Sequence, residues 1–171
     1  NLIGGESMTE AIKRSKILAF YGVPQKSDSA VTYTFHRMKG FDSISTSKNP
    51  KEYSRQYVDE EFEQTDVVGY TPTVSFEFDR FAGDPVHDDI IAIFNGEKTG
   101  ADATRPVIMV DMTGTTKSAI KRDFAIVAES EGEGTEMYTY SGSMRVKGDK
   151  VFGTATSSDD WQTCTFTETS E

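Results

Sequence analysis

The sequence predicts a mainly β domain (α+β): a β-sandwich or partly closed barrel with one short helix at its flank, an extended loop and an N-terminal arm. Three observations carry that expectation. Between Thr73 and Arg80, Val74, Phe76 and Phe78 alternate with Ser75, Glu77 and Asp79, the period-2 pattern of a strand with one buried face. Asp84-Pro85 opens a segment with both helix-start and helix-stop signals. Five further short apolar runs follow it, punctuated by glycine-bearing turns.

From the start, residues 1–7 read as a leader, with Met8 as the native start, which leaves 8–171 as one domain. The run Thr9 to Phe20 sets Ile12, Leu18 and Phe20 among basic residues without a clean period, so an arm is expected, part helical or extended. Gly22-Val-Pro24 and the polar stretch Gln25 to Ser29 read as a break. Val31 to Met38 is a strand, with Val31, Tyr33 and Phe35 on the buried side and Thr32, Thr34 and His36 opposite. Gly40 punctuates, and Phe41 to Ser47 forms a second strand.

Asn49-Pro50 marks a turn into an acidic, aromatic-studded arm carrying Tyr53, Arg55, Tyr57, Asp59, Glu60, Glu61, Phe62, Glu63 and Asp66. Its aromatics do not recur every second residue, so a loop is the plain expectation. The functional alternative is an arm ordered by pairing with a neighbouring subunit, where added strand hydrogen bonds offset the ordering entropy.

For the helix, Asp84 is the N-cap and Pro85 the first helical residue. Asp88 and Asp89 complement the positive helix end, Gly96 closes the helix, and Ile90, Ile91 and Phe94 form a narrow apolar face that needs a sheet to cover it. Strands are then expected at Pro106 to Met112, Arg122 to Ser130, Thr135 to Val146, Lys150 to Thr156 and Trp161 to Thr167. Glu131 to Thr135 reads as a flexible hairpin loop, and Lys147-Gly-Asp-Lys150 as a tight hairpin turn joining Met144–Val146 to Val151–Phe152.

Composition excludes several function classes. With 18 basic and 28 acidic side chains among 171 residues the net charge is −10, the wrong sign for a surface that grips phosphates. The single cysteine, Cys164, has no intrachain partner, so packing must hold the fold. No apolar run approaches the roughly 18 residues that cross a bilayer. His36 and His87 lie on different elements away from Cys164, without zinc spacing, and each is expected to be structural or at the surface. Neither a Gly-x-Ser-x-Gly elbow nor a phosphate loop is present, and acidic pairs are too abundant for any one to point to a glycosidase. Trp161 reads as a core or interface anchor. The expectation is a non-enzyme with no cofactor and no metal.

The segment from Asn49 to Pro72, followed by Val74-Ser-Phe-Glu-Phe-Asp-Arg80 and Asp84-Pro-Val86, resembles the tail tube (major tail) proteins of long-tailed phages of Gram-positive hosts and of related phage-like particles. Arg14-Ser-Lys16 with Ala19-Phe20, and Ile108-Met-Val-Asp111, add to the likeness. The resemblance implies a β-sandwich with a flanking helix, hexameric rings stacked into a tube, and a lumen that conducts DNA without binding it. It also implies a virion-tail location after assembly in the host cytoplasm. The implied partners are other copies of the chain and tail terminator, tape measure and baseplate proteins. By the same analogy Lys51 to Tyr70 is the inter-subunit arm, Glu77 and Asp79 face the lumen, and Lys13, Arg14, Lys16 and Phe20 make N-terminal arm contacts. The inner tube of a contractile tail or of a phage-derived bacteriocin is the near alternative. A sandwich binding module for glycans or cell surfaces, resting on Trp161 and the arm tyrosines, is the distant one.

Overall fold

The computed structural model describes residues 11–132 and 134–170; the expected leader and Met8 lie outside them. The described residues form eleven strands and one α-helix: β1 (Ile17–Ser27), β2 (Ala30–Arg37), β3 (Phe41–Ser47), β4 (Pro50–Arg55), β5 (Gln64–Tyr70), β6 (Thr73–Asp79), α1 (Pro85–Gly96), β7 (Thr104–Asp111), β8 (Ser118–Glu131), β9 (Thr139–Val146), β10 (Val151–Thr156) and β11 (Thr163–Glu168). Every ladder is antiparallel.

Six strands close a barrel in the order β10-β11-β2-β1-β7-β8, because β8 returns to pair with β10. The barrel is therefore complete, beyond the partly closed one expected. Closure depends on the length of β8. Its first residues, Ser118 to Lys121, pair with β10, whereas Phe124 to Glu131 pair with β9 on the same edge. From β9 the sheet continues through β6 to β3. Lys147-Gly-Asp-Lys150 is thus no hairpin turn: β9 and β10 lie end to end along β8, and the turn steps from open sheet to barrel. Arg122 Nε fastens that step by donating to the Gly148 carbonyl at 2.6 Å.

Two cores follow from this geometry. Leu18, Phe20, Ile108, Val110, Ala119, Ala155 and Cys164 fill the barrel. Ala19, Tyr21 and Val107 point the other way, into a second core with Val74, Phe76, Phe78, Phe124, Ile126 and Met144 beneath the helix. Burial of each large apolar side chain stabilises by about 1.5–3 kcal/mol. Because β1 buries both faces, its sequence is a continuous apolar run without alternation, which is why it reads as an arm.

The expected break at Gly22 and Pro24 is absent, since β1 runs through both. Gly22 is required there: a Cβ would meet Pro106 Cγ at 2.6 Å. Pro24 lies past Tyr21, the last β1 residue paired with β7, so one edge of the strand is open where a proline can sit. The far halves of β1 and β2 pair only with each other and project from the barrel, ending at Ser27 opposite Ala30. As a result Val31 and Tyr33, expected inside, are 52% and 41% exposed.

The helix follows its signals. Asp84 accepts from the backbone N–H groups of Val86 and His87, Pro85 opens the helix, and Ile90, Ile91 and Phe94 are buried. The C-cap differs: Glu97, at φ 44°, takes the left-handed position expected of Gly96, one residue further on.

Candidate functional site

No described cluster of three or more His, Cys, Asp or Glu side chains is arranged to hold a metal ion, and no described helix is long and apolar enough to cross a membrane. Three surfaces carry the residues singled out in the sequence.

The first is the acidic arm. It forms a hairpin rather than a loop: β4 and β5 make their own two-stranded sheet, from Pro50 opposite Tyr70 to Arg55 opposite Gln64. Neither strand pairs with the nine-stranded sheet. The base is pinned by Asn49, at φ 44°, whose Nδ2 donates to the Thr71 carbonyl at 3.0 Å. The tip is held locally, since Gln64 Nε2 donates to Glu60 Oε1 at 2.9 Å and the Arg55 guanidinium lies 5.2 Å from the Tyr57 ring centre. Tyr53, Tyr57, Val67, Val68 and Tyr70 are all exposed, and Phe62 is 77% exposed. So much apolar surface on a preordered element away from the body is the mark of a contact surface.

The second surface is the outer face of the β3-β6-β9-β8 sheet. Glu77 and Asp79 lie on it, opposite the core face of Val74, Phe76 and Phe78. Register places Ser45, Ser75 and Ser143 in one row and Ser43, Glu77 and Ser141 in the next. Asp79 accepts from Thr139 at 2.8 Å, and Ser143 donates to Glu129 at 3.0 Å. The result is a smooth patch of short hydroxyls with three carboxylates. It has two open edges. Among the described residues β3 pairs only with β6, and β8 beyond Ala125 has no partner on its β7 side. Beside that second edge lies an open groove of about 620 Å³ between Ala125–Glu131 and the chain from Glu97 to Ala103.

The third is the N-terminal segment. Lys13, Arg14 and Lys16 are exposed around a 3-10 turn, and Arg14 Nη1 donates to the Ile17 carbonyl at 2.6 Å. Phe20 does not belong with them. It is fully buried in the barrel, 6.2 Å from the Trp161 ring, so it makes no outward contact. Trp161 is accordingly an anchor of the barrel core.

The buried polar group under α1 has no signature in the local sequence. Asp89, expected to serve the helix dipole, accepts from Arg105 Nε at 2.8 Å and from the Tyr21 hydroxyl at 2.6 Å. Arg105 also donates to the Asp102 and Thr104 carbonyls. Burial, reinforced by the Asp89 charge, pushes the Tyr21 phenol well above its ordinary value. Arg105 is raised despite its own desolvation, because Asp89 favours the charged form. His87 is wholly buried, stacked 4.4 Å from Phe78, with Nδ1 accepting from the Phe81 N–H and Nε2 donating to the Lys39 carbonyl. These groups are saturated by structural bonds, so they fasten the helix to the barrel. His87 is structural, as expected.

No family model matches the chain, and no curated protein matches it. Solved structures do. A chain in the tail of an empty gene transfer agent particle, refined with helical and C6 symmetry, aligns with 83% of this chain and 98% of its own at 12% identity and a TM-score of 0.55. A chain in the virion of the native gene transfer agent particle aligns over 83% and 98% at 13% identity and a TM-score of 0.52. At these identities the likeness is one of fold: this chain and chains of gene transfer agent particles share an architecture over most of their lengths.

Proposed function

We propose that the protein is a structural subunit of a phage tail tube, whose copies join head to tail into rings, sixfold by analogy, and whose rings stack around a DNA-conducting lumen. The observation that carries this reading is the β4–β5 hairpin, a preordered and apolar-rich element that the described residues leave uncovered. The sheet edges support it. Pairing β3 of one copy with the free segment of β8 in the next consumes both edges, and a rotation that closes turns a row of subunits into a ring. The fold likeness to a chain from a C6-symmetric tail agrees with that closure.

In such a ring the serine face lines the bore. Short hydroxyls leave the passage smooth, and Glu77, Asp79 and Glu129 deny phosphates a grip, so DNA slides. The protein then acts in the virion tail after assembly in the host cytoplasm, beside tail terminator, tape measure and baseplate proteins. The inner tube of a contractile particle would use the same subunit geometry.

Negative-stain microscopy of the concentrated protein tests the reading. Hollow tubes are expected. A monodisperse monomer at every concentration and salt would overturn it. The exposed Lys13, Arg14 and Lys16 are suited to an acidic neighbour. Reversing all three charges should stop tube growth, and unchanged tubes would remove these residues from the interface.

A further inference from the structure

We infer that an apolar cleft rimmed by cations, between the barrel and the open sheet and beyond the footprint of α1, receives the hairpin tip of a second copy of this chain, Phe62 first. The inference rests on the assembly proposed above and names the seat of its arm.

The helix covers only part of the second core. Its side chains reach Phe76, Phe78 and Tyr140, through Phe94 and His87. Towards the start of β6 the space between the barrel and the open sheet remains as a cleft of about 220 Å³, floored by Ile44, Val74, Met109, Phe124, Met144 and Val146. A dry apolar cavity of roughly 150 Å³ already admits benzene, so one aromatic ring fits. Ile44, Met109 and Val146 are only partly buried, which leaves them short of the contact a closed core would give.

Charge selects the occupant. Lys48, Arg122 and Lys150 line the cleft, Asp149 is the single carboxylate beside them in the adjoining recess, and among the described residues the one ion pair within 4.0 Å is Arg105–Asp89, elsewhere. The hairpin tip is the reverse image: Phe62 stands exposed among Asp59, Glu60, Glu61 and Glu63. Docking would bury the ring and bring those carboxylates to the rim cations. Opposite charges of this kind set register and speed encounter.

The tip cannot come from the same molecule. Tyr70 and Pro72, at the hairpin base, themselves line the polar recess beside Lys150. Strands of six and seven residues, at about 3.3 Å per residue, then carry the tip about 20 Å away. Folding back would unpair the hairpin, so the donor is a neighbouring copy.

Disulfide trapping provides the test. Full-length Phe62→Cys and Ile44→Cys chains are mixed, mildly oxidised, and the disulfide is located by peptide mass mapping. Cys164 stays silent, because burial pushes its thiol up to about 12. A 62–44 cross-link is expected, and Lys48→Glu with Lys150→Glu, both exposed positions that leave the fold intact, should cut its yield by about tenfold. Pairing that variant with a Phe62→Cys chain carrying Glu60→Lys and Glu61→Lys should restore it.

Tubes without the cross-link, and indifferent to the charge changes, would overturn the cleft assignment while the tube reading stood. The reciprocal outcome, a charge-dependent cross-link without tubes, would support the cleft and sink the tube. Preferential trapping of Ile44→Cys by Leu2→Cys would give the cleft to the N-terminal segment and overturn the inference.

Discussion

Exchange of residues 56–63 for an Asn-Gly turn is expected to leave the domain folded and to abolish tubes. Arg55 and Gln64 form the last pair of the hairpin, and Asn-Gly is the two-residue linker that matches the twist of antiparallel strands. The excised residues contribute nothing to either core. Stability should therefore change by no more than about 0.5 kcal/mol, which moves the melting temperature by about 2 °C or less. Assembly behaves differently. Loss of one well-buried aromatic anchor commonly weakens an interface by roughly thirtyfold or more, and the exchange removes Tyr57 and Phe62 at every repeat of the contact. Calorimetry and microscopy on the same sample separate the two effects. A variant that melts like the parent and still forms tubes would exclude the tip from assembly.

The largest effect on the fold should come from Arg105→Ala. Arg105 and Asp89 have side chains only 7% and 12% exposed, and removing one partner of a buried ion pair costs about 3–5 kcal/mol because the other charge is left stranded. For a domain of this size that lowers the melting temperature on the order of 10 °C. Combining Asp89→Leu with Arg105→Met should recover much of the loss, since no lone charge remains.

The third member of the group adds a pH signature. Tyr21 holds its proton in the folded state above the ordinary phenol value of 10.0, so above that value the unfolded chain binds fewer protons than the native one. Its contribution is full below pH 10 and is lost as pH rises towards the folded-state value. Denaturant titrations from pH 8 to 11 should show that decline in the parent and a shallower one in Tyr21→Phe. Parallel profiles would separate Tyr21 from the alkaline loss.

How much of this was legible beforehand depends on whether the deciding interaction is local. In β6 a single buried face leaves alternation intact, and at α1 the Asp84 cap and Pro85 act within one turn, so both elements can be read directly. β1 has two buried faces and loses its periodicity. Val31, Tyr33 and Phe35 do alternate, but alternation marks a strand and not a covered one; burial needs a facing layer, and the hairpin outruns it. Lys147-Gly-Asp-Lys150 has the chemistry of a tight turn whether the strands it joins pair or part. What decides is β8, long enough to hold both partners on one edge.

The site was legible in the same uneven way. The arm announces itself by stranding aromatics among acids, although their spacing hides the hairpin; only pairing partners such as Tyr53 and Asp66 reveal it. The trio of Tyr21, Asp89 and Arg105 joins positions far apart in the chain, and Asp89 has an adequate local explanation that conceals the tertiary one. The cleft is invisible in sequence for a related reason. Ile44, Met109 and Val146 look like any core residues until the helix is seen to stop short of them.

The alternation along β1, with Leu18 and Phe20 in the barrel and Ala19 and Tyr21 beneath the helix, ties two compartments that could otherwise melt separately. Stripping either one takes away the partition they have in common. The chain should therefore lose both in a single cooperative step, with no soft half to yield first.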